Sequence, residues 1–286
     1  MIFIKKHTRN CVLAAFLAAV LTFSAASCGG GGDAATPSST SSSVKASKTV
    51  VLGVPGNGVG RIMPDLPKVS STITIYIDPG HGFMDGGSGE IIDENGNAKR
   101  LLPNGLLEKD ITLAISKKVQ EYLTEYGFTA NLTHDGEIRP PAAQYDDIFN
   151  ANERVAFANG KTMDYFISIH SDAVADTSVC GSKIYYWDNS VKINKIGGQV
   201  AESIVEAIHE NLPEDPITEA VDQGENPSGS FAVVREIKYP SALIEAGFAT
   251  NESDAKKLAD DEWQSKFAKG IADGIYNYFI AQADEG

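Results

Sequence analysis

Four side chains in this sequence could do chemistry together. His81, Glu108, His170 and Glu245 are far apart along the chain, yet each falls where an element of an alternating strand and helix pattern ends or begins. Two imidazoles and a carboxylate converging on one rim meet the ligand needs of a catalytic Zn2+, which takes three protein ligands and leaves a position for water. A histidine taken singly is more often a surface or core residue, and His7, His134 and His209 are read that way. Glu245 stands apart because it is set in SALIEAGF, between Ile244 and Ala246. An uncompensated carboxylate is costly to bury there, so something must hold it: the site itself, or a structural salt bridge.

The elements that must position these groups follow from periodicity. Residues 72–78 (TITIYID) are β-branched and apolar and run into Pro79-Gly80, as a buried strand meeting a turn does. Residues 110–126 place Ile111, Ile115, Val119 and Leu123 on one stripe and stop at Gly127, which predicts an amphipathic helix. Strands are expected at 128–133, 164–170, 183–187, 231–234 and 241–245. Helices are expected at 146–159, 191–212 and 261–281, with a loop rich in Asp, Gly, Asn, Pro and Ser after Leu212. This alternation predicts an α/β fold, a three-layer αβα sandwich around a mainly parallel, mixed central sheet. Ligands of such sheets bind beyond the carboxyl ends of the strands. His81, His170 and Glu245 follow or end strands, and Glu108 opens the first helix on the same rim. No internal repeat is visible.

Composition narrows the function. The 286 residues are 42% apolar and 22% charged, which suits a folded protein, and the formal net charge is −14. That acid excess argues against nucleic acid as a partner, because affinity for its phosphates comes from Lys and Arg. Lys5, Lys6 and Arg9 precede a short apolar run ending in Ala25-Ala26-Ser27-Cys28-Gly29, the pattern of a signal peptide. The last five residues resemble the lipobox of bacterial lipoproteins, which implies cleavage after residue 27 and acylation of Cys28. Residues 29–48 hold four glycines, Ser, Thr and Ala with few large apolar side chains, a composition for a flexible stalk. Gly53, Gly56, Gly58 and Gly60 lack the Gly-Lys-Ser/Thr of a phosphate loop. The expected organisation is a signal peptide at 1–27, a lipid-anchored linker at 28–71 and a catalytic domain at 72–286. With Cys11 removed and Cys28 acylated, Cys180 is the one thiol left, so it is expected to act as a small apolar side chain.

IYIDPGHG at 75–82, LEKDITLAI at 107–115, FISIHSDA at 166–173 and ALIEAGFATNESD at 242–254 resemble, in order, the four motifs of the type 3 zinc N-acetylmuramoyl-L-alanine amidases. The resemblance covers about residues 72–282. It implies His81, Glu108 and His170 as Zn2+ ligands and Glu245 as the catalytic carboxylate. It also implies a peptidoglycan substrate, cut at the amide between N-acetylmuramic acid and L-alanine. Export and a lipid tether at Cys28 then place a monomeric enzyme in the cell envelope, held to a membrane beside the wall. Several positions depart from the family pattern. Phe83 replaces a glycine, and Asp172 stands where Asn is usual. His134 stands where Arg is common, and the stretch 84–107 is long and carries Glu90, an alternative ligand. Asp93-Glu94-Asn95-Gly96 lacks the spacing of a calcium loop and reads as a turn. Only a short segment separates Ala173 from Gly181, too short for the blocking helix of some relatives, which implies an open site. The rival readings are another zinc peptidase of the wall and an inactive peptidoglycan-binding lipoprotein.

Overall fold

Side chains of a strand alternate between faces, and that alternation organises the computed structural model. It describes residues 73–83, 85–88, 90–92, 98–100, 102–136, 150–187, 192–215, 217–224 and 231–284, all within the unit Lys68–Gly286. The expected signal peptide, Cys28, the linker to residue 71, Asp93 and Glu94 lie outside the described residues. In chain order the elements are β1 (Thr74–Pro79), β2 (Glu90–Ile92), β3 (Ala98–Arg100), α1 (Glu108–Glu125), β4 (Thr129–Leu132), α2 (Ala151–Asn159) and β5 (Tyr165–Asp172). There follow β6 (Ser182–Tyr186), α3 (Lys192–Asn211), β7 (Ile217–Asp222), α4 (Ala232–Arg235), β8 (Ser241–Phe248), α5 (Glu252–Leu258) and α6 (Asp261–Asp284).

Six strands form one sheet in the order β4-β1-β5-β8-β6-β7, with β2 and β3 a separate pair. Every neighbouring pair of the large sheet is parallel except β6 and β8, which run antiparallel. The mixed, mainly parallel sheet expected from the sequence is therefore present. Ser168 pairs with Leu243 and His170 with Glu245, while Asp78 pairs with Ser168. Phe166, Ser168 and His170 thus share one face with Leu243 and Glu245, and Ile167, Ile169 and Ile244 point to the other.

The second face is covered by α1, which packs on β1, β4 and β5, and by α3, which packs on β6, β7 and β8. Helix α6 lies against both helices. A Cβ at Gly274 would stand 2.4 Å from Ile204 Cα, so this position of α6 must be glycine for the helices to approach so closely. On the first face, α2 and α4 bury Val155, Ala158, Val233 and Val234 against Phe166 and Leu243. These helices are nine and four residues long. They cover the start of that face and leave its carboxyl end, where His170 and Glu245 lie, open.

Several expectations are corrected. Residues 231–234 begin a helix, not a strand: both edges of β8 are already paired, with β5 and β6, and Val233 and Val234 serve as a lid on the sheet. A four-residue apolar run does not distinguish the two forms. Strand β7 lies within the segment read as loop, and α5 was not foreseen, although Asn251 Oδ1 caps it by accepting from the Ser253 and Asp254 amides. Helix α2 starts at Ala151, capped by Asn150. Strand β8 runs on to Phe248, so Glu245 lies inside it. Cys180 is half-buried and disulfide-bonded. The expectation of a lone, small apolar thiol is corrected by that bond; Cys11 and Cys28 lie outside the described residues.

Candidate metal centre

The chain leaves β1 through Gly80 and turns sharply. His81, Gly82 and Phe83 all have positive φ, at 63°, 129° and 53°. A non-glycine residue there costs about 1–2 kcal/mol, so the turn persists because its surroundings impose it. Gly82 and Asp85 exchange two backbone hydrogen bonds of 2.9 Å. The first turn of α1 clasps the loop: the Glu108 amide donates to Ser88 O (3.0 Å), the Lys109 amide to Gly86 O (3.2 Å) and Lys109 Nζ to Phe83 O (2.6 Å). These contacts also satisfy amide donors that a helix start leaves unpaired.

The loop, α1 and β5 bring three of the expected residues together. His81 Nε2 lies 3.3 Å from Glu108 Oε2, and His170 Nδ1 lies 3.0 Å from Glu108 Oε1. One ligand atom from each of His81, Glu108 and His170 lies within 4.8 Å of the others. Bonds of about 2.0–2.1 Å at tetrahedral angles place ligand atoms about 3.3 Å apart, close to the separations of His81 and His170 from Glu108, 3.3 and 3.0 Å. The Ser88 amide donates to Glu108 Oε2 (2.5 Å) and the Ser171 amide to Oε1 (3.0 Å), which fixes the carboxylate. His170 Nε2 and Glu245 Oε2 are buried and have no hydrogen-bond partner among the described residues. Nδ1 of His81 lies 2.9 Å from Asp85 Oδ2, close but not aligned as a hydrogen bond. A donor set of two imidazoles and a carboxylate with unused buried atoms beside it fits a borderline divalent cation.

Residues 75–277 match the family described as N-acetylmuramoyl-L-alanine amidase, Amidase_3. The chain belongs to this amidase family. It is 36% identical over 210 residues to the uncharacterized protein YqiI of Bacillus subtilis (strain 168), covering 72% of this chain and 84% of the relative. It is 33% identical to N-acetylmuramoyl-L-alanine amidase LytC of the same organism, covering 72% of this chain and 35% of that longer protein. Among solved structures, N-acetylmuramoyl-L-alanine amidase AmiC2 of Nostoc punctiforme superposes with a TM-score of 0.58 at 30% identity, over 73% of this chain and 97% of that one.

The amidase's three clustered side chains lie in a cleft of about 420 Å3. Its lining includes the carboxylates Asp85, Asp172 and Glu245 and the apolar residues Ala151, Phe231, Val233 and Leu243. Residues 173–181 form no helix across it, in keeping with the expected open site. Burial opposes ionisation of Glu108, but contacts with His170 and His81 outweigh it and hold this carboxyl far below the usual range. Burial also disfavours the charged form of His81, yet Glu108 and then Asp85 raise its proton affinity. Glu245 is pushed well above the carboxylate range by burial, then by the charges of Glu108 and Asp172.

Behind the cluster, Asp78 is fully buried and accepts from Thr133 Oγ1 (2.7 Å), Ser168 Oγ (2.7 Å) and Arg154 Nε (3.1 Å). Burial raises this acid, and Arg154, Thr133 and Ser168 more than compensate and lower it. Sequence reasoning missed Arg154 and Asp85. The signal for Asp85 was its place four residues after His81, but only the left-handed turn folds it back onto the ring. His134 is a core residue that supports the loop, with Nε2 2.9 Å from Pro79 O. Glu90 opens β2, and its side chain lies outside what is described.

Proposed function

We propose that this N-acetylmuramoyl-L-alanine amidase acts with a Zn2+ held by His81, Glu108 and His170 and with Glu245 as the proton-transfer group. The observation that carries this reading is the gathering of the three ligand atoms on one rim, with Glu245, whose Oε2 has no hydrogen-bond partner among the described residues, in the same cleft. A bound Zn2+ supplies Lewis-acid polarisation of the scissile carbonyl and lowers the proton affinity of water. Glu245 takes the proton of the attacking water as the carbon–oxygen bond forms, then delivers it to the departing nitrogen as the carbon–nitrogen bond breaks. The products are the lactyl carboxylate of the muramyl sugar and a free peptide amine beginning with L-alanine. The Ser88 and Ser171 amides hold the Glu108 carboxylate in place throughout.

The acylation of Cys28 belongs to the same proposal. Lipid at Cys28 and a stalk over 28–71 would tether a monomeric catalytic domain beside the wall. Burial raises Glu245 toward the neutral acid, and a nearby dication favours the carboxylate that the proton transfer requires. The test is Glu245→Gln, examined by metal analysis and by mass spectrometry of digested muropeptides. Full zinc content with turnover reduced by about 100-fold or more is expected, the range of a positioned acid–base group. Loss of zinc would show Glu245 to be a ligand, and unchanged turnover would remove it from the reaction.

A further inference from the structure

Asp85 is the nearest carboxylate to the outer nitrogen of His81, with Oδ2 2.9 Å from Nδ1 and the two side chains 29% and 27% exposed. Three features hold it there. Its backbone is paired to Gly82 on both sides, its Oδ1 accepts from the Gly87 amide at 3.1 Å, and the loop is clasped by the first turn of α1. Gly87 itself is packed against the cluster, since a Cβ there would lie 2.5 Å from Glu108 Oε2 and 2.6 Å from His81 Cδ2. The Nε2 edge of His81 faces Glu108 and the Nδ1 edge faces Asp85. The carboxylate therefore stands where it can fix which ring nitrogen carries hydrogen and which is left for an ion.

We propose that Asp85 is a positioning residue that accepts a hydrogen bond from His81 Nδ1 and so orients Nε2 toward the metal. A ligating histidine whose other nitrogen is held by a carboxylate is fixed in tautomer and rotation, and loss of such a partner weakens metal binding about 10–100-fold. The contact is close but unaligned in the chain alone. Catalytic hydrogen bonds are often so before the site is engaged and tighten afterwards. The turn's positive φ values at His81 and Phe83 then have a purpose, because an extended chain would carry Asp85 away from the imidazole. This inference rests on the metal site proposed above.

The experiment measures zinc affinity of the purified protein by competition with a chromophoric chelator, together with the melting temperature of the zinc-stripped protein. Asp85→Ala is expected to weaken zinc at least tenfold while the stripped protein still melts in one cooperative transition, lowered by no more than loss of the single Gly87 hydrogen bond. Asp85→Asn, which keeps an acceptor oxygen, is expected to remain within about threefold of the parent. In a His81→Ala background, Asp85→Ala is expected to add no further loss, because a residue acting through His81 has nothing left to act on. Parental zinc affinity in Asp85→Ala overturns the inference, as does a full additional loss in the His81→Ala background. Equal losses in Asp85→Asn and Asp85→Ala also overturn it, since the carboxylate would then bind the ion itself. If His81→Ala alone binds zinc like the parent, the metal-site reading fails first, which separates the two failures.

Discussion

Glu245 and Gly87 carry opposite costs at the same site. Burial and the charges of Glu108 and Asp172 favour the neutral form of Glu245. A carboxyl raised in the folded state destabilises it once pH exceeds the unfolded value of about 4.3. Glu245→Gln is therefore expected to stabilise the zinc-stripped protein at neutral pH by roughly 0.5–2 kcal/mol, the range of a single stabilising substitution, read as a higher melting temperature. The advantage should vanish below about pH 4, where the unfolded carboxyl is also protonated, and scans across that range would check it. Gly87 has φ at 67° and no space for a Cβ between Glu108 and His81. Gly87→Ala should displace both side chains and lower zinc affinity by about tenfold or more, read by the same chelator competition.

Among the elements, β1, β5 and α2 meet at one buried charge pair. Arg154 and Asp78 are 2% and 0% exposed, and Thr133 and Ser168 complete the acid's hydrogen bonding. Removing one partner leaves an uncompensated buried charge, so Arg154→Met should cost about 3–5 kcal/mol by denaturant titration. The acid's depressed folded pKa gives the sign of its pH dependence. Its contribution is present above the unfolded value near pH 3.9 and is lost as pH falls through the lower folded value. Asp78→Asn should accordingly flatten the acid limb of the stability curve relative to the parent. A parent and variant that lose stability in parallel below pH 4 would remove Asp78 from that role. The pair also explains how short helices suffice on this face: α2 is anchored by charge as well as by Val155 and Ala158.

For the molecule as a whole, the tether is the question with a direct test. Cys28→Ser should release the enzyme from the membrane pellet into the soluble fraction without changing activity of the purified protein, and unchanged fractionation would remove lipid from the proposal. Much of the catalytic domain was legible beforehand. Strong periodicity located β1, α1, β5, α3 and α6, and the expected placing of His81, Glu108, His170 and Glu245 at or beside strand ends and a helix start pointed to one rim, where the first three gather. Short segments were less legible: α4 and β7 are too brief for period to decide, and what decides them is which sheet edge or face is already filled. The sequence by itself determined the α/β class and the candidate ligands, because residue type and the alternation of strand and helix are written locally. Only the tertiary structure decided that Asp85 returns to His81, that Arg154 neutralises Asp78 and that Glu245 keeps a buried oxygen without a partner among the described residues. Those contacts depend on a left-handed turn, on parallel register and on helix length, which act between residues distant in the chain and leave no period within it.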